Sequence, residues 1–187
     1  MAEKFLTDMR LRKQILIITN DSTVFNGKNK LLSAFEMFGG RMTEVKNLVA
    51  RLDTAVDDKD KKLCDVSFGV ISSHYGFVPG NYMVTGYDKV METKEDYIEV
   101  EEKKHYVEQI AYISRAFDQT ILCIPKEMFR LFLECEDFDN KRIIAVTNPE
   151  FQDICKERGW IYLERKGARV GTENANKIEE IVKELCK

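Results

Sequence analysis

Short apolar runs recur along the chain and alternate with amphipathic segments. The first run, residues 15–19 (ILIIT), is apolar at successive positions rather than at alternate ones, which indicates a strand buried on both faces of a sheet. Four further runs predict four more strands, at residues 66–71, 120–124, 142–146 and 160–163. Central strands of this kind are typical of parallel sheets.

The segments between these runs carry apolar residues at spacings of three and four, the period of an amphipathic helix. They predict helices over residues 30–53, 95–117, 126–134 and 150–158, and a last helix that Thr172 caps. Gly39 and Gly40 interrupt the first of these segments, which leaves open one kinked helix or two short ones.

This alternation of strands and helices predicts one α/β domain spanning residues 1–187. We expect a three-layer sandwich with a mainly parallel sheet of about five strands and helices on both faces. The class is Rossmann-like or flavodoxin-like, and the flavodoxin-like strand order is our prediction. A length of 187 residues suits a single domain with an ordinary core.

Composition narrows the functional classes. The hydrophobic fraction of 44% and charged fraction of 33% are typical of globular domains, and a net charge of −3 argues against binding DNA through overall charge. Five cysteines without a CxxC pair predict reduced thiols. The charged start of the chain and the absence of an apolar stretch near about 20 residues predict a cytoplasmic protein without a membrane span. The oligomeric state cannot be read from the pattern.

Small polar residues follow the predicted strands. Because parallel strands end at the same edge of a sheet, the loops after them converge there, and open α/β sheets bind ligands at that edge. We therefore expect a site that includes Asn20, Asp21, Ser22, Ser72, Ser73, His74, Tyr75 and Asn148.

The segment 76–98 predicts a long, turn-rich loop after the second strand. Long loops in compact domains are often functional. It carries Tyr82 and Tyr87, whose rings could pack against a nucleobase, and Asp88. These three residues complete the candidate ligand-binding set.

Asp21 and His74 are the candidate catalytic residues. Asp21 could act as a general base, or bind a ribose hydroxyl or Mg²⁺, and His74 could act as an acid or electrophile. The alternatives are structural: Asp21 and Ser22 are common capping residues, and His74 could be held by backbone groups. The basic group 165–169 could contact phosphate, although a solvated loop is the favoured interpretation.

Several sharper motifs are absent. The segment 26–30 contains Gly-Lys without the pattern of a P-loop, and GxGxxG, GxSxG and HExxH do not occur. Two histidines are too few for a histidine-rich metal centre. No cofactor is therefore identified, and Mg²⁺ bound by a carboxylate remains an alternative.

The segment 70–88, VISSHYGFVPGNYMVTGYD, resembles a group of α/β domains over about twenty residues. In that group a strand ends in a Ser-Ala-Lys-Tyr-Gly-Leu-like motif, and a Tyr-Asp pair follows. The matching positions are Ser72, Tyr75, Gly76, Tyr87 and Asp88, whereas Ser73 and His74 replace the small residue and the lysine. Members are linked to tRNA base modification, including archaeosine formation, and to uracil-glycosylase-like folds. The first strand departs from the group, which carries Ser or Cys followed by Lys where this chain has 20–22.

These observations lead to three hypotheses. The first is a protein that handles a nucleobase or nucleotide, as an enzyme related to RNA modification, with RNA as a further partner. The second is a non-catalytic module that binds a small ligand or a protein through the same edge. The third is phosphoryl chemistry with Asp21 binding Mg²⁺. The sequence does not decide whether the chain is catalytic.

Overall fold

The computed structural model describes residues 12–57 and 59–187. In these residues the strands are β1 (Lys13–Asn20), β2 (Leu32–Ser33), β3 (Cys64–Ser72), β4 (Gly76–Pro79), β5 (Met83–Val84), β6 (Gln119–Cys123), β7 (Ile143–Thr147) and β8 (Ile161–Glu164). The helices are α1 (Ala34–Met37), α2 (Met42–Asp53), α3 (Lys94–Lys104), α4 (Tyr106–Ser114), α5 (Lys126–Glu134), α6 (Gln152–Glu157), α7 (Thr172–Leu185) and a 3₁₀ turn at Pro149–Phe151.

Six strands form one sheet in the order β4-β3-β1-β6-β7-β8. β4 pairs antiparallel with β3, and every other neighbouring pair is parallel. The five parallel strands lie in the order second, first, third, fourth, fifth along the chain, which is the flavodoxin-like order. The α/β class with a mainly parallel sheet is therefore confirmed, and the strand beyond the expected five is β4.

β1 shows why the apolar runs lack alternation. Ile15 and Ile17 pack into the core on one face of the sheet, and Leu16 and Ile18 into the core on the other. Helices α2 and α7 cover the first face, and α3, α4, α5 and α6 cover the second. A strand buried on both faces has apolar residues at successive positions, as the sequence predicted.

The two longest predicted helical segments, 30–53 and 95–117, each contain two helices. The segment 30–53 contains α1 and α2, separated by Gly40, whose φ of +60° is readily adopted by glycine. The segment 95–117 contains α3 and α4, because His105 takes a left-handed conformation (φ +51°) that ends α3. Gly171 rather than Thr172 is the N-cap of α7, so the predicted cap was wrong by one residue.

The segment 76–98, predicted as a long loop, contains regular structure. β4 forms a hairpin with β3, β5 pairs with β2 in a separate two-stranded sheet, and α3 begins at Lys94. Outside these elements lie the three-residue turn 80–82 and the connection 85–93. The connection 85–93 is the longer of the two. It passes over the carboxyl end of β3.

Among the helices that the structure describes, none combines the length and the apolar character needed to cross a bilayer.

The strand order reverses between β1 and β6, since the chain leaves β1 toward β3 and later returns to β6 on the opposite side. In open α/β sheets, ligands bind at the carboxyl edge near such a reversal. Asn20 and Asp21 lie at this edge.

Candidate functional site

Asp21 lies at the centre of the site, immediately after β1. Its backbone N–H donates to the carbonyl oxygen of Ile71 at 2.9 Å. Oδ2 of its side chain lies 2.8 Å from Ser73 N, 3.0 Å from Ser73 Oγ and 2.6 Å from Tyr87 Oη. The side chain is buried, and Oδ1 has no hydrogen-bond partner in residues 12–57 and 59–187. The structure thus brings together three residues of the predicted site, Asp21, Ser73 and Tyr87.

Burial raises the pKa of Asp21, because a carboxylate loses its hydration in the interior. Hydrogen bonds from Ser73 and Tyr87, and the charge of Arg169, oppose this shift without cancelling it. Acids with a pKa shifted by burial are concentrated at functional sites.

Ser72, the last residue of β3, organises the turn beside Asp21. Its Oγ accepts hydrogen bonds from the backbone N–H groups of His74 at 3.2 Å and Tyr75 at 3.1 Å. It also lies 2.8 Å from Tyr87 Oη, to which it donates. A chain of hydroxyl groups therefore leads from Ser72 through Tyr87 to Asp21.

Tyr87 joins this polar chain to a group of aromatic rings. The exposed His74 ring stacks on it with centroids 5.4 Å apart, and Phe25 meets it edge-on at 5.1 Å. Tyr75 packs edge-on against His74 at 4.6 Å, and its hydroxyl accepts the backbone N–H of Thr85 at 3.1 Å. Burial and the neighbouring Asp21 raise the pKa of Tyr87, so the phenol stays protonated.

Two cavities flank Tyr87. The larger, of about 540 Å³, is bordered by Phe25, Lys28 and Tyr87. The smaller, of about 350 Å³, is bordered by Ser73, His74 and Tyr87. Both volumes fall in the range of ligand pockets. Since Ser73 and Tyr87 both contact the Asp21 carboxyl, they separate it from the smaller cavity.

Ion pairs surround the cavity mouths. They join Lys28 to Asp88 at 2.6 Å, Lys89 to Asp96 at 3.1 Å and Lys103 to Glu99 at 2.6 Å. The lysine of each pair is exposed, and the carboxylates of Asp88 and Glu99 are exposed too, so these pairs are weak and a charged ligand can replace one partner. Asp88, a predicted ligand-binding residue, therefore lies at the rim of both cavities and not beside Asp21.

Arg169, in the loop after β8, fills the crevice at the strand reversal. Its guanidinium donates to Thr19 Oγ1 at 2.8 Å, to the Asp21 carbonyl oxygen at 2.6 Å, and to both oxygens of Asn20. Arg165 of the same loop donates to the Ile124 carbonyl oxygen at 2.6 Å, at the end of β6. Burial and the charge of Arg165 lower the pKa of Arg169 to about 10.

The interpretation of 165–169 as a solvated basic loop is therefore wrong for Arg169, which is buried. Lys166 does fit it, since its exposed ammonium pairs with Glu173 at 3.4 Å. Because the two arginines occupy the crevice between β1 and β6, the open space of the site lies on the β3 side of β1.

The remaining predicted residues lie around or outside this cluster. Asn20 is buried and contacts Arg169, and Ser22 Oγ accepts the backbone N–H of Val24 at 3.2 Å, a turn-capping role. Tyr82 is exposed in the turn between β4 and β5 and borders neither cavity beside Tyr87. Asn148 precedes the 3₁₀ turn at the end of β7, two strands and roughly 10 Å from β1.

Sequence reasoning missed Phe25, Lys28 and Lys89 as contributors, and it named Arg169 only within the basic group 165–169, as a phosphate contact or a solvated loop residue. Lys28 lies in the segment 26–30, whose Gly-Lys pair does not fit a P-loop, and Phe25 precedes this segment directly. Lys89 directly follows the Tyr87-Asp88 pair. The signal for Arg169 was its position after the last strand, at the edge where the loops converge.

In the part of the chain that the structure describes, no three His, Cys, Asp or Glu side chains are grouped so that they could hold a metal ion. The neighbours of Asp21 are hydroxyl and backbone N–H groups. These suit an organic ligand with polar edges at least as well as a cation.

We expect Asp21→Asn to change the pH dependence of the free energy of unfolding. With a raised pKa, native Asp21 holds a proton at pH values where the unfolded chain has released it. The free energy of unfolding of the wild type, relative to that of the variant, therefore falls as the pH rises from 3.8 through the pKa of Asp21 in the native state. Urea unfolding of both proteins between about pH 3 and about pH 8 measures the difference. A difference that grows in favour of the wild type over this range would contradict the raised pKa.

The fold and the site together define an α/β protein of flavodoxin-like strand order with a buried acid beneath an aromatic pair. Comparison with protein-family models, with curated proteins and with solved structures found no match for the chain.

Proposed function

We propose that this chain binds a nucleobase or nucleotide beside Tyr87, as a nucleobase-handling protein related to RNA modification. The observation that supports this most directly is the buried Asp21 carboxyl, whose Oδ1 lacks a partner within the described residues. It lies beneath two aromatic side chains, Tyr87 and His74, that border a cavity. A buried acceptor without a donor is costly, and a ligand N–H or O–H group would remove that cost.

The cavity beside His74 suits a planar ligand. Met91 and Val100 contribute apolar surface to it, and His74 and Ser73 contribute polar groups. Stacking of a base on an aromatic side chain contributes about 1–3 kcal/mol. A flat base can lie here against the imidazole while its polar edge approaches Ser73, which contacts Asp21.

Lysines could hold the phosphate of a nucleotide. Lys89 borders both cavities, and Lys28 borders the larger one. Lys28 pairs with the exposed Asp88 at 2.6 Å, and Lys89 pairs with the half-buried Asp96 at 3.1 Å and with the exposed Glu99 at 3.5 Å. A phosphate can replace these carboxylates as the acceptor, so a base near His74 and a phosphate near Lys89 fit one nucleotide.

A thermal-shift screen with nucleobases, nucleosides and nucleotides tests this function. A ligand at about 100 times its Kd stabilises the native state by roughly 2.7 kcal/mol. For a chain of this length the melting temperature should rise by roughly 5–10 °C. We expect His74→Ala to abolish the shift while the unliganded protein melts as before, because His74 is exposed and stacks only on the site.

The matched control is the other histidine. His105 is also exposed, and it holds a left-handed conformation between α3 and α4 that asparagine tolerates. His105→Asn should therefore retain the ligand shift. An unchanged shift in His74→Ala would overturn the assignment of the site.

An apolar patch favours the rival hypothesis of a non-catalytic partner-binding module. Leu31, Tyr82 and Met83 are 62%, 54% and 49% exposed and lie on or beside the small β2–β5 sheet. The sign of this function would be self-association or partner capture that Leu31→Asp abolishes, together with a flat response to every nucleotide.

The third hypothesis, phosphoryl chemistry with Mg²⁺ on Asp21, makes a separate prediction. Mg²⁺ commonly uses one or two protein carboxylates and keeps several waters. Stabilisation by Mg²⁺ that is lost in Asp21→Asn would favour it over the nucleobase-binding function.

A further inference from the structure

The Asp21 carboxyl and the hydroxyl groups of Ser72, Ser73 and Tyr87 form one hydrogen-bonded cluster, in which the position of each hydroxyl proton can be assigned. A hydroxyl donates one hydrogen bond, and a backbone carbonyl only accepts. Because Ser72 Oγ accepts from the N–H groups of His74 and Tyr75, its proton is directed to Tyr87 Oη at 2.8 Å. The Tyr87 proton is directed in turn to Asp21 Oδ2 at 2.6 Å.

Ser73 fixes the place of the remaining proton. Its Oγ lies 2.6 Å from the Lys89 carbonyl oxygen, a separation at which a hydrogen must lie between the two oxygens. Since the carbonyl has no proton, the Ser73 hydroxyl proton is directed to Lys89. Ser73 Oγ also lies 3.0 Å from Asp21 Oδ2, and no second hydroxyl proton exists for this contact.

We propose that Asp21 is a carboxylic acid in this site, that its Oδ2 donates to Ser73 Oγ, and that its uncharged Oδ1 accepts a hydrogen bond from an N–H group of the ligand. Oδ2 then donates once and accepts from Ser73 N and Tyr87 Oη, which uses its proton and both lone pairs. Within the cluster, Oδ1 is left as the free acceptor. Burial, which raises the pKa of Asp21, acts in the same direction.

Three groups around Asp21 carry or can acquire charge, and of these the charge of Arg169 opposes a protonated carboxyl. They are Tyr87 of the 85–93 connection, Tyr97 of α3 and Arg169 of the loop after β8. Burial raises the pKa of both tyrosines, so both are neutral. Arg169 directs its Nη2 to the Asp21 carbonyl oxygen at 2.6 Å, so its hydrogen bond does not hold the carboxyl in the ionised form.

The protonation state selects the class of ligand, an inference that rests on the proposed function. An ionised Asp21 would favour an ammonium group or Mg²⁺. A neutral acid instead offers Oδ1 as a carbonyl-like acceptor for an uncharged donor, such as the ring N–H of uracil or guanine. Since Ser73 and Tyr87 cover Asp21 from the cavity side, a base in that cavity reaches Oδ1 when either side chain shifts.

Carbon NMR titration of the Asp21 carboxyl in the ligand-free protein tests the proton. If Asp21 donates to Ser73, then Ser73→Ala removes the acceptor and lowers the titration midpoint. If Ser73 donates to a carboxylate, the same variant raises the midpoint. Tyr87→Phe removes a donor to Oδ2 in either case, so it is the control and should raise the midpoint. A raised midpoint in Ser73→Ala overturns the proposal.

Binding by the wild-type protein tests the ligand class. Uridine and guanosine are compared with the same nucleosides methylated on the ring N–H, and we expect methylation to weaken binding about tenfold or more. Equal binding of the methylated forms, or a shift of the Asp21 signal by Mg²⁺ alone, overturns the recognition through Oδ1. If no nucleoside binds, the proposed function fails, whereas the Ser73→Ala titration still decides where the proton lies.

Discussion

Arg169→Ala is expected to lower the free energy of unfolding by about 3 kcal/mol, the largest effect that we expect of a polar substitution in this chain. The guanidinium donates to Thr19, Asn20 and Asp21, all at the buried end of β1. Alanine removes these donors from a buried position. Asn20 Nδ2 still donates to the Asp21 carbonyl oxygen at 3.1 Å, whereas Thr19 Oγ1 and the oxygens of Asn20 lose the guanidinium. Each buried acceptor left without a donor costs about 1–3 kcal/mol.

One opposing effect reduces this loss. Burial deprives the Arg169 cation of hydration, which lowers its pKa to about 10, and alanine removes this desolvation cost. The donors are nevertheless the larger contribution, because several acceptors depend on one side chain. Arg169→Leu, which keeps apolar volume and no donor, should therefore lose about as much stability as alanine.

Urea unfolding and thermal melting measure the effect, and a loss of this size lowers the melting temperature by roughly 6–12 °C. Lys166→Ala is the matched control in the same loop, since Lys166 is exposed and, within residues 12–57 and 59–187, pairs only with Glu173. It should melt as the wild type does. An Arg169→Ala protein with wild-type stability would show that the crevice tolerates unpaired acceptors or admits water.

Gly86→Ala is expected to destabilise the native state by about 1–3 kcal/mol and to weaken ligand binding. A Cβ at this position would lie 2.5 Å from Lys28 Cγ, 2.7 Å from its Cα and 2.8 Å from its carbonyl oxygen. A lysine side chain can move, but its backbone is held by the hydrogen bond from Gly86 N at 2.9 Å. The 85–93 connection must therefore shift, and Tyr87 shifts with it.

Melting temperature and nucleotide affinity are measured together for this variant. Gly27→Ala, in the facing segment, is the control, because its Cβ meets mainly the flexible ends of Leu32, at 3.1 Å, and Lys30, at 3.3 Å. It should lose less stability and keep its affinity. If Gly86→Ala binds nucleotides as the wild type does, the position of Tyr87 is less important for the site than we infer.

The fold class followed from the sequence because burial leaves a local signature. The run at β1 is apolar at successive positions, and the structure places it between two helical layers. The short strands β4 and β5 were not predicted, since Gly76, Pro79 and Gly80 are equally common in loops. The break at His105 was missed because a left-handed histidine has no sequence signal.

The site was recovered in part for the same reason. Asp21, Ser72 and Ser73 follow strands that lie side by side, so a correct sheet brings them together. Asn148 was wrongly grouped with them, because a sequence does not show that β6 lies between β1 and β7. Tyr82 and Tyr87 looked equivalent in the sequence, yet one is exposed on a turn and the other contacts Asp21.

The sequence by itself determined the layers, the class of sheet and the polar edge at which Asp21 lies, because periodicity records which positions are buried. Tertiary structure alone decided the hydrogen-bond partners of Asp21, Tyr87 at its carboxyl and Arg169 at its backbone carbonyl oxygen. Tyr87 is 66 residues from Asp21 in the chain and Arg169 is 148 residues away. Contacts over such distances depend on strand order and on the path of the connections. No local pattern of apolar and polar residues encodes that path.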